Sequence, residues 1–179
     1  MEPIDSVGAG IATWMDQMPP RVDPDVEAAR QRIGRIARLF ERLLERVADE
    51  QQITLGDWEA LSVLQRSGPP YERTPKQLAD ALALTSGTIS VRIERLTRAG
   101  LVEPVPAADG RSRPVRLTAR GRRHWAEATA RRTAEELRLF DAALDRDGLA
   151  RLNALLGGLL SRLEAELGPV SQHDQPRIR

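Results

Sequence analysis

Residues 109–118 read DGRSRPVRLT, three arginines in ten positions. The chemistry arginine does best is anion recognition, because its planar fork of N–H donors stays charged and matches carboxylates and phosphates. The Asp-Gly pair at 109–110 favours a tight reversal, since Gly tolerates positive φ. Val115-Arg116-Leu117 then alternates apolar and charged residues like a short strand, and Leu101-Val102-Glu103-Pro104-Val105 reads as its partner. The spacing predicts a small β-hairpin that holds Arg111 and Arg113 at an exposed tip with no obvious acid beside them. A second set, Arg92, Arg95 and Arg98, follows the hydroxyls of Ser86, Thr88 and Ser90.

Other chemistries find little material. Cys is absent, which removes disulfides, thiolate catalysis, thiol sensing and Cys-based zinc sites. His124 and His173 stand far apart in sequence, so neither a metal site nor a cofactor is expected. Ser86-Gly87 and Ser112 carry no sequence cue for a nearby base, and Glu135-Glu136 fits a solvated helix surface. No catalytic residue is assigned, and no enzyme is expected.

The charge is uneven. Residues 71–125 hold eleven Lys/Arg against five Asp/Glu, while the rest holds sixteen against twenty-one. A basic segment in an otherwise acidic chain suits a polyanion. It equally suits a solvated, arginine-rich surface, and 26 of the 27 basic residues are Arg. Only six aromatic residues are present, which argues against single-strand binding by base stacking. No apolar run approaches the roughly 18 residues of a membrane helix, and the N-terminus lacks the pattern of a signal peptide. A cytoplasmic protein with no membrane partner is expected.

The elements that must position these arginines are mostly helical. Residues 1–22 read as a flexible end with a helical turn or two around Ile11 to Met15. Residues 25–49 carry a long apolar stripe through Ile33, Ile36, Phe40, Leu43 and Val47. Thr54 can cap the next helix, with Asp57 at its third position, and SGPPY stops it. TPKQ then sets Thr74 as cap, Pro75 at the first turn and Gln77 as the return partner. Helices over 75–83 and 86–99 follow, the second ended by Gly100. After the hairpin come a helix over 119–145 and a last one capped by Asp147, whose Gly157-Gly158 pair suggests a close helix contact or simple tolerance.

The two short helices have helix-turn-helix spacing. Leu78, Ala79, Leu82, Ile89, Ile93 and Leu96 point inward, which leaves Ser86, Gly87, Thr88, Ser90, Arg92, Arg95 and Arg98 on the outward face. Alone, the pair could be an ordinary helical hairpin with solvated arginines. Followed by an arginine-tipped hairpin, it reads as a winged helix: one helix in the major groove of a duplex, with Arg111 and Arg113 reaching along the backbone toward a minor groove. The fold class is therefore mainly α with a small β-hairpin.

Residues 78–103, LADALALTSGTISVRIERLTRAGLVE, and 109–122, DGRSRPVRLTARGR, resemble the multiple-antibiotic-resistance regulator (MarR) family of bacterial transcription factors. The resemblance covers roughly residues 26–167. It implies an N-terminal extension over 1–22, a domain over 23–168 and a disordered tail over 169–179. Within the domain, the winged-helix lobe is 54–123, and 24–50 and 119–168 are dimerisation helices. It also implies a homodimer facing a pseudo-palindromic operator, with Asp109 orienting Arg111. The apolar stripes on 26–49, 119–145 and 148–167, wider than one small lobe can cover, agree with two-fold pairing.

SGPPYERTPKQLA and the extra N-terminal piece with Trp14 resemble a subgroup that answers urate or similar phenolic and heterocyclic anions. That resemblance implies an effector pocket of Trp14, an acid at Glu59 (with Asp57 as competitor), Arg73 and Arg92. The competing roles are an N-terminal anchor for Trp14, an exposed loop charge for Arg73 and a phosphate contact for Arg92. The expected function is a repressor released from DNA by a small aromatic acid, phenolic or purine-like effector. The alternative is a winged-helix dimer that binds protein instead of an operator.

Overall fold

A computed structural model describes residues 4–106 and 113–169. In chain order the elements are α1 (Ile11–Met15), α2 (Pro24–Glu50), α3 (Leu55–Arg66), β1 (Glu72–Arg73), α4 (Pro75–Ala81), α5 (Ser86–Arg98), β2 (Val102–Pro104), β3 (Val115–Leu117), α6 (Ala119–Ala143) and α7 (Arg146–Leu167). Contacts divide the chain into two compact units, Met1–Arg46 and Val47–Arg179, with α2 running through the boundary. Asp109, Arg111 and Ser112, expected at the hairpin tip, and the tail from 170 onward lie outside the described residues. Among the described residues no helix is long and apolar enough to cross a membrane.

In the first unit the expected loose end is tied down. Asp5 Oδ1 accepts from the N–H groups of Val7 and Gly8 at 2.8 and 2.7 Å. Arg32 donates to Asp5 at 2.8 Å, and Arg35 donates to Ser6 Oγ at 2.5 Å. The indole N–H of Trp14 donates to Glu27 at 3.0 Å. These side-chain contacts, 13 to 29 residues apart in sequence, hold the short α1 segment on α2.

The second unit is built on helix ends that the sequence specifies. Thr54 with Asp57 and Thr74 with Gln77 both close capping boxes, so two orphan donors are met at each helix start. Helices α2, α4 and α5 end on left-handed residues, Gln52, Ala83 and Gly100. In each case the next N–H folds back to a carbonyl five residues earlier: Ile53 to Ala48, Leu84 to Ala79 and Leu101 to Leu96. The left-handed turn at Ala83 explains why α4 stops at Ala81 and not at 83. Leu61, Leu64, Leu78, Ile89 and Leu96 are fully buried in one core that also holds Val102, Val115 and Leu117 from the sheet.

Three expectations are corrected. The sheet has three strands in the order β1-β3-β2, because Glu72 and Arg73 pair antiparallel with Arg116 and Val115. The cap of α7 is Asp145, which accepts from Gly148 N at 2.7 Å; Asp147 lies two residues further on, as a first-turn acid. A Cβ at Gly157 or Gly158 meets nothing within 4 Å, so the close helix contact suggested for that pair is not made among the described residues. Gly121 is different: a Cβ there would stand 1.9 Å from the Leu101 carbonyl oxygen, so α6 passes the α5–β2 corner only because the residue has no side chain.

Candidate nucleic-acid interface

The N-terminal end of α5 is exposed from Thr85 to Thr88, and Ser90, Val91, Glu94, Arg95 and Arg98 continue that face. Thr85 caps the helix, accepting from Thr88 N at 3.3 Å, and its hydroxyl lies 2.9 Å from that of Thr88. Ser90 Oγ donates to the Ser86 carbonyl at 2.9 Å. The face is therefore small, polar and rigid where the first-turn N–H groups and the positive end of the helix dipole emerge. Opposite it, Ile89 and Leu96 seal the helix into the core. Val91 is 61% exposed and was not among the residues singled out from sequence; an apolar residue on an otherwise polar outer face is the signal that could have found it.

The three α5 arginines have three fates. Arg98 is exposed and pairs with Glu94 one turn earlier at 2.6 Å. Arg95 makes a two-pronged contact with the buried Asp57, Nε to Oδ2 at 2.8 Å and NH2 to Oδ1 at 2.6 Å, and also reaches Thr54 Oγ1 at 3.2 Å. Asp57 at the same time closes the α3 capping box, so the start of α3 and the middle of α5 share one carboxylate. The Asp57 hydrogen bonds raise the Arg95 pKa above its ordinary value.

Arg92 does not lie on the outward face. Its side chain is 13% exposed and turns toward α3, 3.7 Å from Glu59, itself 22% exposed. Gly56 makes this possible: a Cβ at that position would stand 2.1 Å from Arg92 NH2 and 2.6 Å from its Cζ. At 3.7 Å the pair is an ion contact without a hydrogen bond, and the buried NH1 of Arg92 has no hydrogen-bond partner. Burial pushes the Glu59 carboxyl up against the opposing pull of Arg92, and burial lowers Arg92 against the pull of Glu59 and Asp57.

At the wing, Arg113 is exposed. Arg116 stands opposite Glu103 on one side and Glu72 on the other, and donates to them at 2.7 and 3.4 Å. This acid–arginine–acid row crosses all three strands. The root of the wing is pinned by Thr118, whose hydroxyl donates to the Gly100 carbonyl at 2.8 Å and accepts from Gly121 N at 2.9 Å. Trp125 N–H to Ser62 and Trp58 N–H to Thr129 fasten α6 to α3.

Of the four residues expected to hold an effector, Glu59 and Arg92 are brought into contact with each other. Arg73 is the second residue of β1 and donates to the Glu72 carbonyl at 3.1 Å. Trp14 belongs to the first unit, where Glu27 takes its indole N–H. Among the described residues no three His, Cys, Asp or Glu side chains cluster to hold a metal.

Comparison with known proteins agrees with this geometry. Residues 51–112 match the model of the MarR family. The chain is 30% identical over 114 residues to the HTH-type transcriptional regulator PecS of Dickeya dadantii (strain 3937), covering 62% of this chain and 67% of that protein. Among solved structures, a mutant MarR from E. coli complexed with operator DNA superposes with a TM-score of 0.58 at 22% identity, over 76% of this chain and 96% of that one. MepR, a transcription regulator of the Staphylococcus aureus multidrug efflux pump MepA, gives 0.66 at 21% identity, over 73% and 95%. At these identities the two structures speak for the fold.

Proposed function

The chain belongs to the MarR family of transcriptional regulators, which are DNA-binding proteins and not enzymes, and from there we propose that it is an effector-responsive repressor of an inverted-repeat operator. The observation that carries the reading is the exposed, capped start of α5 beside a wing rooted by Thr118 and the Glu72–Arg116–Glu103 row. Ser86, Thr88 and Ser90 bring the helix end close to phosphate, Arg95 and Arg98 reach base edges or backbone, and Val91 is placed for a thymine methyl. Arg113, with Arg111 beyond the described residues, follows the backbone toward the minor groove. Arg95 arrives pre-oriented by Asp57, which reduces the rotamer freedom lost on binding.

The working unit is a homodimer. Leu155, Leu156, Leu159, Leu160 and Leu163 of α7, in the second unit, are 44–74% exposed. An apolar helix face of that extent suits a second copy better than solvent. In the first unit, Val26, Ile33 and Ile36 of α2 are exposed as well. The effector acts through Arg92 and Glu59, a half-buried pair with no hydrogen bond that an anion can compete for. It shifts DNA affinity only by its preference between the two states, about 1–3 kcal/mol. Selection from a random duplex pool tests the reading. Enrichment of two half-sites about one helical turn apart supports it; no enrichment leaves a protein-binding dimer as the better account.

A further inference from the structure

The DNA reading makes no use of the arginines that line a cavity of about 410 Å³ in the first unit, between the N-terminal segment and α2. That volume lies within the range of small-molecule sites. Trp14 and Ser6 form one wall, Arg30, Arg35 and Arg38 the other, and among the described residues no carboxylate lines it. Arg30 is already answered by Glu27, at 2.9 and 2.7 Å. Among the described residues Arg35 donates to neutral oxygens, Ser6 Oγ at 2.5 Å and Gln31 at 3.4 Å. Arg38 extends past Gly34 with NH1 3.6 Å from where a Cβ would stand. Among the described residues, two guanidinium charges therefore face the space without a counter-charge in its lining.

The floor is Gly34, inside a helix of 27 residues. A glycine there is less favourable to the helix than alanine, and a Cβ at the position would meet only the end of Arg38. What the glycine provides is room, not close packing. The Trp14 ring is 42% exposed, and its N–H bond to Glu27 fixes its orientation. The lining positions 30, 34 and 38 recur every four residues along one stripe of α2. The exposed Ile33 and Ile36 point to a different face of α2.

We propose that this cavity binds a dianion carried on a flat ring, a nucleoside monophosphate-like phosphate monoester, with the phosphate between Arg35 and Arg38 and the ring against Trp14. Two unanswered guanidinium groups match a phosphate dianion better than a single carboxylate, and a one-ring acid leaves much of the cavity empty. The site does not depend on the Glu59–Arg92 pair or on DNA binding.

Calorimetric titration of the full chain with guanosine monophosphate, salicylate and inorganic phosphate tests the assignment, with tryptophan emission followed in parallel. The nucleotide binds, quenches emission that is missing from Trp14→Phe, and is weakened about tenfold or more by Arg38→Gln or Arg35→Gln, as loss of a charge-assisted contact requires. Glu59→Gln leaves its affinity unchanged. Salicylate binding as tightly as the nucleotide overturns the phosphate assignment, and inorganic phosphate binding as tightly overturns the role of the ring. Wild-type affinity in Arg38→Gln with unchanged helicity, loss of binding in Glu59→Gln alone, or no binding at millimolar nucleotide overturns the site.

Discussion

Replacing Gly56 by alanine separates the two roles open to Arg92. The new Cβ would lie 2.1, 2.6 and 3.2 Å from NH2, Cζ and Nε of Arg92. The obstruction is the end of a flexible side chain, so the guanidinium swings out and the backbone stays. The stability terms nearly cancel. Alanine gains up to about 1 kcal/mol over glycine in a helix. Losing a half-buried ion contact at 3.7 Å without a hydrogen bond costs about the same, since the two groups regain water. The thermal midpoint should move by no more than a few degrees, as a change of about 1 kcal/mol implies for a chain of this size. DNA binding should change more. An arginine released onto the outer face of α5 adds a phosphate contact at each half-site, and each contact steepens the dependence of log K on log salt by about 0.9. Fluorescence anisotropy with a labelled duplex at several salt concentrations reads this directly. Gly56→Ala should bind more tightly at low salt, with a steeper slope, and should lose its response to effector. Wild-type affinity, slope and response together would refute the idea that Gly56 holds Arg92 away from DNA.

Further outcomes follow from the same geometry. Gly121→Ala sets a Cβ 1.9 Å from the Leu101 carbonyl oxygen, backbone against backbone, and should cost about 2–4 kcal/mol; a thermal midpoint equal to wild type contradicts it. Asp57→Ala removes the α3 cap and the two-pronged Arg95 contact, with Arg95 itself about half exposed, and should lose about 2–3 kcal/mol by denaturant titration; a loss below about 0.5 kcal/mol would show that the shared carboxylate is not structural. Arg30, then Gln31 and Trp14, hold Glu27 down from 4.5 to about 2, and Arg32 with the Gly8 N–H holds Asp5 down from 3.8 to about 2. Because both folded values lie below the ordinary ones, their stabilisation is complete above the ordinary values and is lost as pH falls toward 2. Trp14 emission, taken as wild type minus Trp14→Phe, should stay flat through the ordinary carboxylate range and change only as pH falls toward about 2; a midpoint at 4.5 or above contradicts the assignment.

Local signals carried much of this fold into the sequence. Thr54 with Asp57, Thr74 with Gln77 and Gly100 mark helix ends through hydrogen bonds that span five residues or fewer. The inward set of the helix-turn-helix follows from the 3.6-residue period, and Leu78, Leu82, Ile89 and Leu96 are buried as that period requires. What was hidden depends on distant partners. β1 has only two residues, too few to show alternation, and is a strand only because β3 lies beside it. Asp145 and Asp147 are both chemically fit to cap α7; the extended backbone of Asp145 itself, with Asp147 already helical, decides for Asp145. The inward turn of Arg92 depends on the missing side chain of Gly56, on another helix. The Asp57–Arg95 contact spans 38 residues and leaves no periodic trace.

The central claim is that two copies of this chain present two α5 helices and two wings to one duplex. The most direct measurement is a stoichiometric anisotropy titration of a selected inverted-repeat duplex, repeated across salt concentrations. The account predicts two chains per duplex and a log K that falls linearly with log salt by about 0.9 for each phosphate neutralised. A chain that stays monomeric and shows no affinity for the duplex at about 50 mM salt, where phosphate contacts are strongest, would contradict it.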